Sequence, residues 1–257
     1  MITGIDHIVI VAESLVEAAL TAGRLGFRTS PPADHPFGTA NALVQLRGSY
    51  LEYLAILDES LFPEERPDAF SFPSFNRDFL IGEGAGISML ALKTDDPDAL
   101  AARLAEVGLS RYPTFSFERT AQAPDGRELP VSFTLAFASH ADFVRAGVFA
   151  LVHHRPENFW HAAYQAHPTP AVATTRVTMV APHPAARLRI LPSRPFSYAP
   201  RPSARTPHPP LPRPLPPLPS PTPHRPPPPP PPPPTPPPPP PPLFSPHLSH
   251  AHAPPHQ

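Results

Sequence analysis

The sequence predicts an α+β fold built from one β-α-β-β-β unit used twice and followed by a disordered proline-rich tail. Three observations carry that expectation. Shifted by 82 positions, Gly4-Ile5 falls on Gly86-Ile87, Ile8–Ala12 on Leu90–Thr94, and Leu25-Gly26-Phe27 on Val107-Gly108-Leu109, with no gap over 24 positions. A fixed-period self-match of this kind sets the architecture before any single element does. Each copy also reads as a short apolar strand, a hydroxyl or acidic cap, and an amphipathic helix ended by Gly. Finally, the composition breaks sharply: 33 of the 48 Pro lie in the last 66 residues, while all 21 acidic residues lie at or before Glu157. The front carries about −9 and the back +8, so only the front can form a core.

In order, Ile5–Ala12 is an apolar strand. Ser14 offers its hydroxyl as N-cap to a helix over Leu15–Leu25, and Gly26 is placed to end it. Phe27–Thr29 can begin a second strand before the Pro31-Pro32 break, and His35-Pro36-Phe37-Gly38 reads as a turn. Thr39–Leu46 and Tyr50–Leu57 are strands joined in a hairpin by Arg47-Gly48-Ser49. Residues 58–85 are acidic, Phe-rich and broken by Pro; they connect the units, with one helical turn near Phe75–Ile81. Gly86–Lys93 opens the second unit, Asp95-Asp96-Pro97 caps and starts its helix, and Gly108 stops it. Pro113–Thr120 and Val131–Phe137 flank the turn Ala123-Pro124-Asp125-Gly126, and Gly147–His153 is the last strand. The expected domain is residues 1–157, with units at about 1–58 and 86–155.

Beyond it, Asn158–His167 fits a short helix. Arg176–Ala181 looks like the opening strand of a further copy, so residues 158–186 read as the truncated start of a third unit. Residues 187–257 hold Arg, Pro, His and Ser with no acid and include the run Pro226–Pro242, broken only by Thr235; polyproline II or disorder is expected there. Such a switch is what a frame change in GC-rich coding sequence gives, and the tail reads as a frameshift product without selected function. PxxP pieces such as Pro214-Leu215-Pro216-Pro217 match the form of SH3 and WW ligands, but arise here from composition alone. No such partner is expected.

Composition excludes several classes. With no Cys there is neither disulfide nor thiolate chemistry. No run approaches the roughly 18 apolar residues of a membrane span. The acidic front argues against a nucleic-acid partner. The N-terminus enters a strand without a basic segment, so the expected location is cytoplasmic.

Four stretches then stand out: Gly4-Ile5-Asp6-His7-Ile8-Val9, His35–Leu43, Tyr50-Leu51-Glu52-Tyr53-Leu54 and Phe149–His154. In this order, and with the doubled unit, they resemble the vicinal-oxygen-chelate superfamily, in particular its glyoxalase-like branch, over about residues 1–160. The resemblance implies two units whose curved sheets form a half-barrel-like wall around a cavity. It also implies a divalent metal held by residues from the first and last strands of each unit. Carried onto this sequence, the ligands are His7, Glu52 and His153, with Glu52 also the catalytic carboxylate; imidazole and carboxylate donors suit Zn, Fe, Mn or Ni. The remaining position falls on Met89, with Ser88 beside it. Neither is a usual ligand, which argues against a glyoxalase I activity, a chemistry that normally uses four. Asn41 and His35 are the candidate substrate contacts.

Plainer readings stand beside these. A lone His on an apolar strand, such as His7, is more often a satisfied core residue. An ionised Glu52 between Leu51 and Leu54 is costly to bury unpaired, so it either lines the cavity or meets solvent. His153 and His154 face opposite ways on a strand, and His153 is the one placed inward. His35 and Asn41 fit a loop role equally well. The leading expectation is a small metal-dependent lyase, isomerase or dioxygenase-like enzyme acting on an oxygen-bearing small molecule. The alternative is a metal-free protein that sequesters a small molecule in the same cavity. A homodimer is one assembly open to it.

Overall fold

The computed structural model describes residues 1–139 and 145–179; the expectations for residues 180–186 and for the proline-rich tail lie outside the described residues. Strand β1 (Ile2–Val11) is followed by helix α1 (Leu15–Arg24) and strands β2 (Ala33–Asp34), β3 (Thr39–Leu46) and β4 (Ser49–Ile56). After helix α2 (Phe72–Glu83) the order repeats as β5 (Gly86–Thr94), α3 (Pro97–Glu106), β6 (Phe115–Gln122), β7 (Glu128–Ala138) and β8 (Gly147–His153). The eight strands form one sheet in the order β2-β3-β4-β1-β5-β8-β7-β6. At its centre β1 and β5 pair antiparallel and join the two units, while β1 with β4 and β5 with β8 pair parallel within them. The edge strands β2 and β6 come into contact, so the sheet curves until it is nearly closed.

Local chemistry explains most of these elements. The Ser14 hydroxyl accepts from the Val16 and Glu17 amides, and the Asp96 carboxylate accepts from the Ala99 amide, which satisfies N–H groups that a first turn leaves free. The second strand forms after the Pro31-Pro32 break and not at Phe27–Thr29. There the Phe27 amide still donates to the Ala22 carbonyl, closing α1. Helix α2 is longer than the single expected turn. Ser71 caps it, and the buried Asn76 ties it to β5 by accepting from the Ser88 hydroxyl at 2.6 Å. After β8 a short helix α4 (Pro156–Phe159) and a 3-10 turn over Ala162–Gln165 replace the expected helix at Asn158–His167. Residues 171–179 run without helix or strand, with Val177 and Met179 packed on the α3 side of the sheet.

Helices α1 and α3 cover the outer face of the sheet, α1 over β3 and β4, α3 over β7 and β8. Every residue of β3 is buried as a result, because this strand has a helix on one side and the interior on the other. The inner face holds the largest cluster, rich in Phe and including Tyr50, Phe149 and Phe159. No helix among the described residues is long and apolar enough to cross a membrane.

Candidate functional site

Strand β1 presents two ionisable side chains in succession. Its register with β5 pairs Ile5 with Leu92 and His7 with Ala91, leaving Asp6 as an extra, bulged residue. A bulge re-aims side chains that strict alternation would send to opposite faces. Asp6 and His7 are both fully buried, and His7 Nδ1 donates to Asp6 Oδ1 at 2.7 Å. Strand β4 supplies Glu52 from the row Tyr50, Glu52, Leu54, and its Oε2 lies 3.2 Å from His7 Nε2 as an ion pair. His7 therefore sits between two carboxylates, with the Tyr50 ring stacked on it at 4.2 Å.

The electrostatics follow from that arrangement. Burial opposes a charge on His7 most strongly, but hydrogen bonds to Asp6 and Glu52 and their charges outweigh it, raising its pKa to about 9. Burial likewise opposes ionisation of Glu52, yet the His7 bond and charge, the nearby His35 and the Asn41 bond hold its pKa at about 2. Asp6 is held well below the usual carboxylate range; burial acts against this and loses to bonds from His153 and His7. At neutral pH the centre is an imidazolium with a carboxylate on each nitrogen.

Strand β3 and the turn before it add Asn41 and His35. Asn41 Nδ2 donates to Glu52 Oε1 at 2.7 Å and lies 3.2 Å from His35 Nε2, while His35 Nδ1 is 2.8 Å from Thr39 Oγ1. A carboxylate only accepts, so the amide nitrogen must face Glu52. Asn41 Oδ1 is left buried with no partner among the described residues. Burial, the largest influence, lowers the His35 pKa to about 3 and keeps the ring neutral.

These groups open onto a cavity with about 430 Å³ of space not filled by protein, part of it open to solvent. Its polar wall is His7, His35, Asn41, Tyr50, Glu52 and Arg119; Phe37, Phe72, Phe115, Phe117, Phe133 and Phe149 make most of the rest. Arg119 and Asp6 are the two residues that reading the sequence for chemistry does not find. Along β6, Phe115, Phe117, Arg119 and Ala121 turn inward while Ser116, Glu118 and Thr120 are exposed. That period-two row marks Arg119 as an inward charge.

The structure brings four of the five expected site residues together: His7, Glu52, His35 and Asn41 share the cavity wall. His153 is not among them. Its Nε2 donates to Asp6 Oδ1 at 3.2 Å and its ring stacks on Trp160, so Asp6 intervenes between it and His7. His154 points elsewhere, to Thr134 Oγ1. Among the described residues, no group of three His, Asp or Glu side chains is placed to hold a metal ion. The second unit contributes Met89, Phe149 and Leu151 to the inner cluster, none of them a usual ligand for such an ion. Of the three expected ligands, His7 and Glu52 stand 3.2 Å apart, while His153 meets Asp6.

The family model described as a glyoxalase-like domain matches residues 5–193 of the chain. Among solved structures, methylmalonyl-CoA epimerase from Mycobacterium tuberculosis aligns at 23% identity over 58% of this chain and 87% of that one, with a TM-score of 0.40. A Streptomyces coelicolor methylmalonyl-CoA epimerase in complex with 2-nitronate-propionyl-CoA aligns at 21% identity, covering 59% and 94%, with a TM-score of 0.40. A hypothetical protein from Staphylococcus aureus aligns at 17% identity over 58% of each chain, with a TM-score of 0.44. Curated proteins give no match.

Proposed function

The chain belongs to the glyoxalase-like domain family of the vicinal-oxygen-chelate superfamily, and on that footing we propose that it binds a small organic molecule in the Phe-walled cavity without a metal ion. The observation that best supports this reading is the mutual saturation of the ionisable groups. His7 bonds Asp6 through Nδ1 and faces Glu52 with Nε2, and Glu52 accepts from Asn41 while pairing with His7. A carboxylate held at about pKa 2 is a weak proton acceptor, and the chain has no Cys to act as a nucleophile. What the wall offers instead is shape and fixed polarity. A concave, mostly aromatic surface with a few converging polar groups is the usual form of a small-molecule site. His35 and Asn41 are the proposed ligand contacts, and the His7–Glu52 pair fixes Asn41 in place.

One observation favours a second reading, a proton-transfer enzyme. The imidazolium and Glu52 both border the cavity, so a proton can be handed between them and a bound molecule. Two measurements on protein purified without chelator separate the readings. Metal content below about a tenth of an equivalent, with no rise on adding Mn, Fe, Ni or Zn, supports metal-free binding; one firmly held equivalent contradicts it. Deuterium entering a bound carbon acid in D2O, seen by mass spectrometry, would favour the enzyme.

A further inference from the structure

One cation on the inner wall has no ion-pair partner among the described residues. Arg119 is only 8% exposed, at an inward position of β6. Its Nη1 donates to the Thr120 carbonyl at 3.2 Å, and its Nε is buried with no partner among the described residues. No carboxylate among the described residues lies within 4.0 Å of it. Glu52, the carboxylate of the same wall, is committed to His7 and Asn41. A buried guanidinium without an anion is costly, and it presents a rigid fork of donors that matches the two oxygens of a carboxylate. Asn41 supplies the complement, because its unpartnered Oδ1 can only accept. Both residues also border a second space of about 340 Å³, walled by Ser30, Gln45 and Asn158 among others, so they stand where the two spaces adjoin.

We propose that Arg119 and Asn41 recognise the carboxylate of a small organic acid that also carries a hydroxyl or N–H donor, its apolar body lying among the phenylalanines. This rests on the cavity binding a small molecule, as proposed above. The guanidinium takes the carboxylate, the Asn41 oxygen takes the neighbouring donor, and the pair selects acids over their neutral analogues. A monoanion fits better than a phosphate. There is one guanidinium, and the Glu52 carboxylate in the same wall repels a second negative charge.

The test is titration calorimetry on the full chain with four probes. Mandelate has a phenyl body, a carboxylate and a hydroxyl; mandelamide is its neutral analogue. Phenyl phosphate carries the other anion, and 1-naphthol reports only whether the cavity accepts an aromatic body. Mandelate is expected to bind at least about tenfold more tightly than mandelamide, and Arg119→Gln to erase that preference. Equal binding of mandelate and mandelamide while 1-naphthol binds overturns the assignment of Arg119 and leaves the cavity reading standing. Failure of 1-naphthol and mandelate alike overturns both. Phenyl phosphate binding more tightly than mandelate gives the site to a phosphate and refutes the carboxylate. Thermal melting supplies an arm independent of the probes. Arg119→Met removes a buried charge that has no ion-pair partner among the described residues, so the ligand-free variant should melt higher than the parent. A variant that melts lower makes Arg119 a structural residue and ends the proposal.

Discussion

Replacing Glu52 by Gln keeps the shape of the side chain and removes its charge. The carboxylate accepts from Asn41 Nδ2 at 2.7 Å and pairs with His7 Nε2 at 3.2 Å. An amide offers one accepting oxygen, so one of these donors must face an NH2 group. The rise of the His7 pKa from 6.5 to about 9 is what the two carboxylates leave after burial, the largest influence, has opposed the charge. At about 1.4 kcal/mol per unit this is roughly 3 kcal/mol, of which Glu52 supplies about half by symmetry with Asp6. Adding about 1–2 kcal/mol for the stranded donor gives a loss of about 3 kcal/mol at pH 7, in line with breaking a buried pair. That should lower the melting temperature by about 6–12 °C. Urea unfolding of parent and variant followed by circular dichroism at pH 6, 7 and 10 measures it. The difference should shrink at pH 10, where the parent's His7 has already lost its proton. A loss under about 1 kcal/mol at pH 7, or one independent of pH, would refute the ion-paired centre.

Two further outcomes follow from the same geometry. The stability contributed by His7, whose pKa is raised, is fully present below pH 6.5 and lost as pH rises through about 9. That of His35, whose pKa is depressed, is present above pH 6.5 and lost as pH falls toward about 3, with Glu52 adding to the acid loss between 4.5 and about 2. Stability measured across pH should therefore peak near 6.5, and a plateau from pH 5 to 9 would contradict these assignments. Gly38 has φ of +80°, and a Cβ there would collide with the Asp58 carbonyl oxygen. Gly38→Ala should cost more than about 2 kcal/mol in thermal or urea unfolding; an unchanged midpoint would show that this turn is not as tight as described.

What the sequence reveals of this protein depends on how local each signal is. Ser14 and Asp96 cap their helices through bonds to residues two or three positions away, so both helix starts are legible. Strand β3 falls where expected, at Thr39–Leu46, and the last strand at Gly147–His153, because turns and glycines bracket them. Glu52 is legible as a cavity residue because a carboxylate in an apolar strand needs a partner. Its partner is the neighbouring His7, which no strand pattern reveals. Asp6 is hidden for a different reason: its burial comes from the bulge against β5, a pairing between residues more than 80 positions apart. Alternation sends His153 and His154 to different partners, but cannot say that Asp6 will stand between His153 and His7. Arg119 was present in plain pattern, Phe115-x-Phe117-x-Arg119, and is overlooked only if charge on an edge strand is assumed to face water.

The protonation state of His7 tests the metal-free, ion-paired centre most directly. Long-range 1H–15N correlation on the full chain at pH 7 should show both His7 nitrogens protonated, unchanged when one equivalent of Zn is added. Protonation of both nitrogens would match the bonds to Asp6 at 2.7 Å and Glu52 at 3.2 Å. A neutral ring whose Nε2 signal shifts as Zn binds would contradict the account and make His7 and Glu52 ligands of a metal after all.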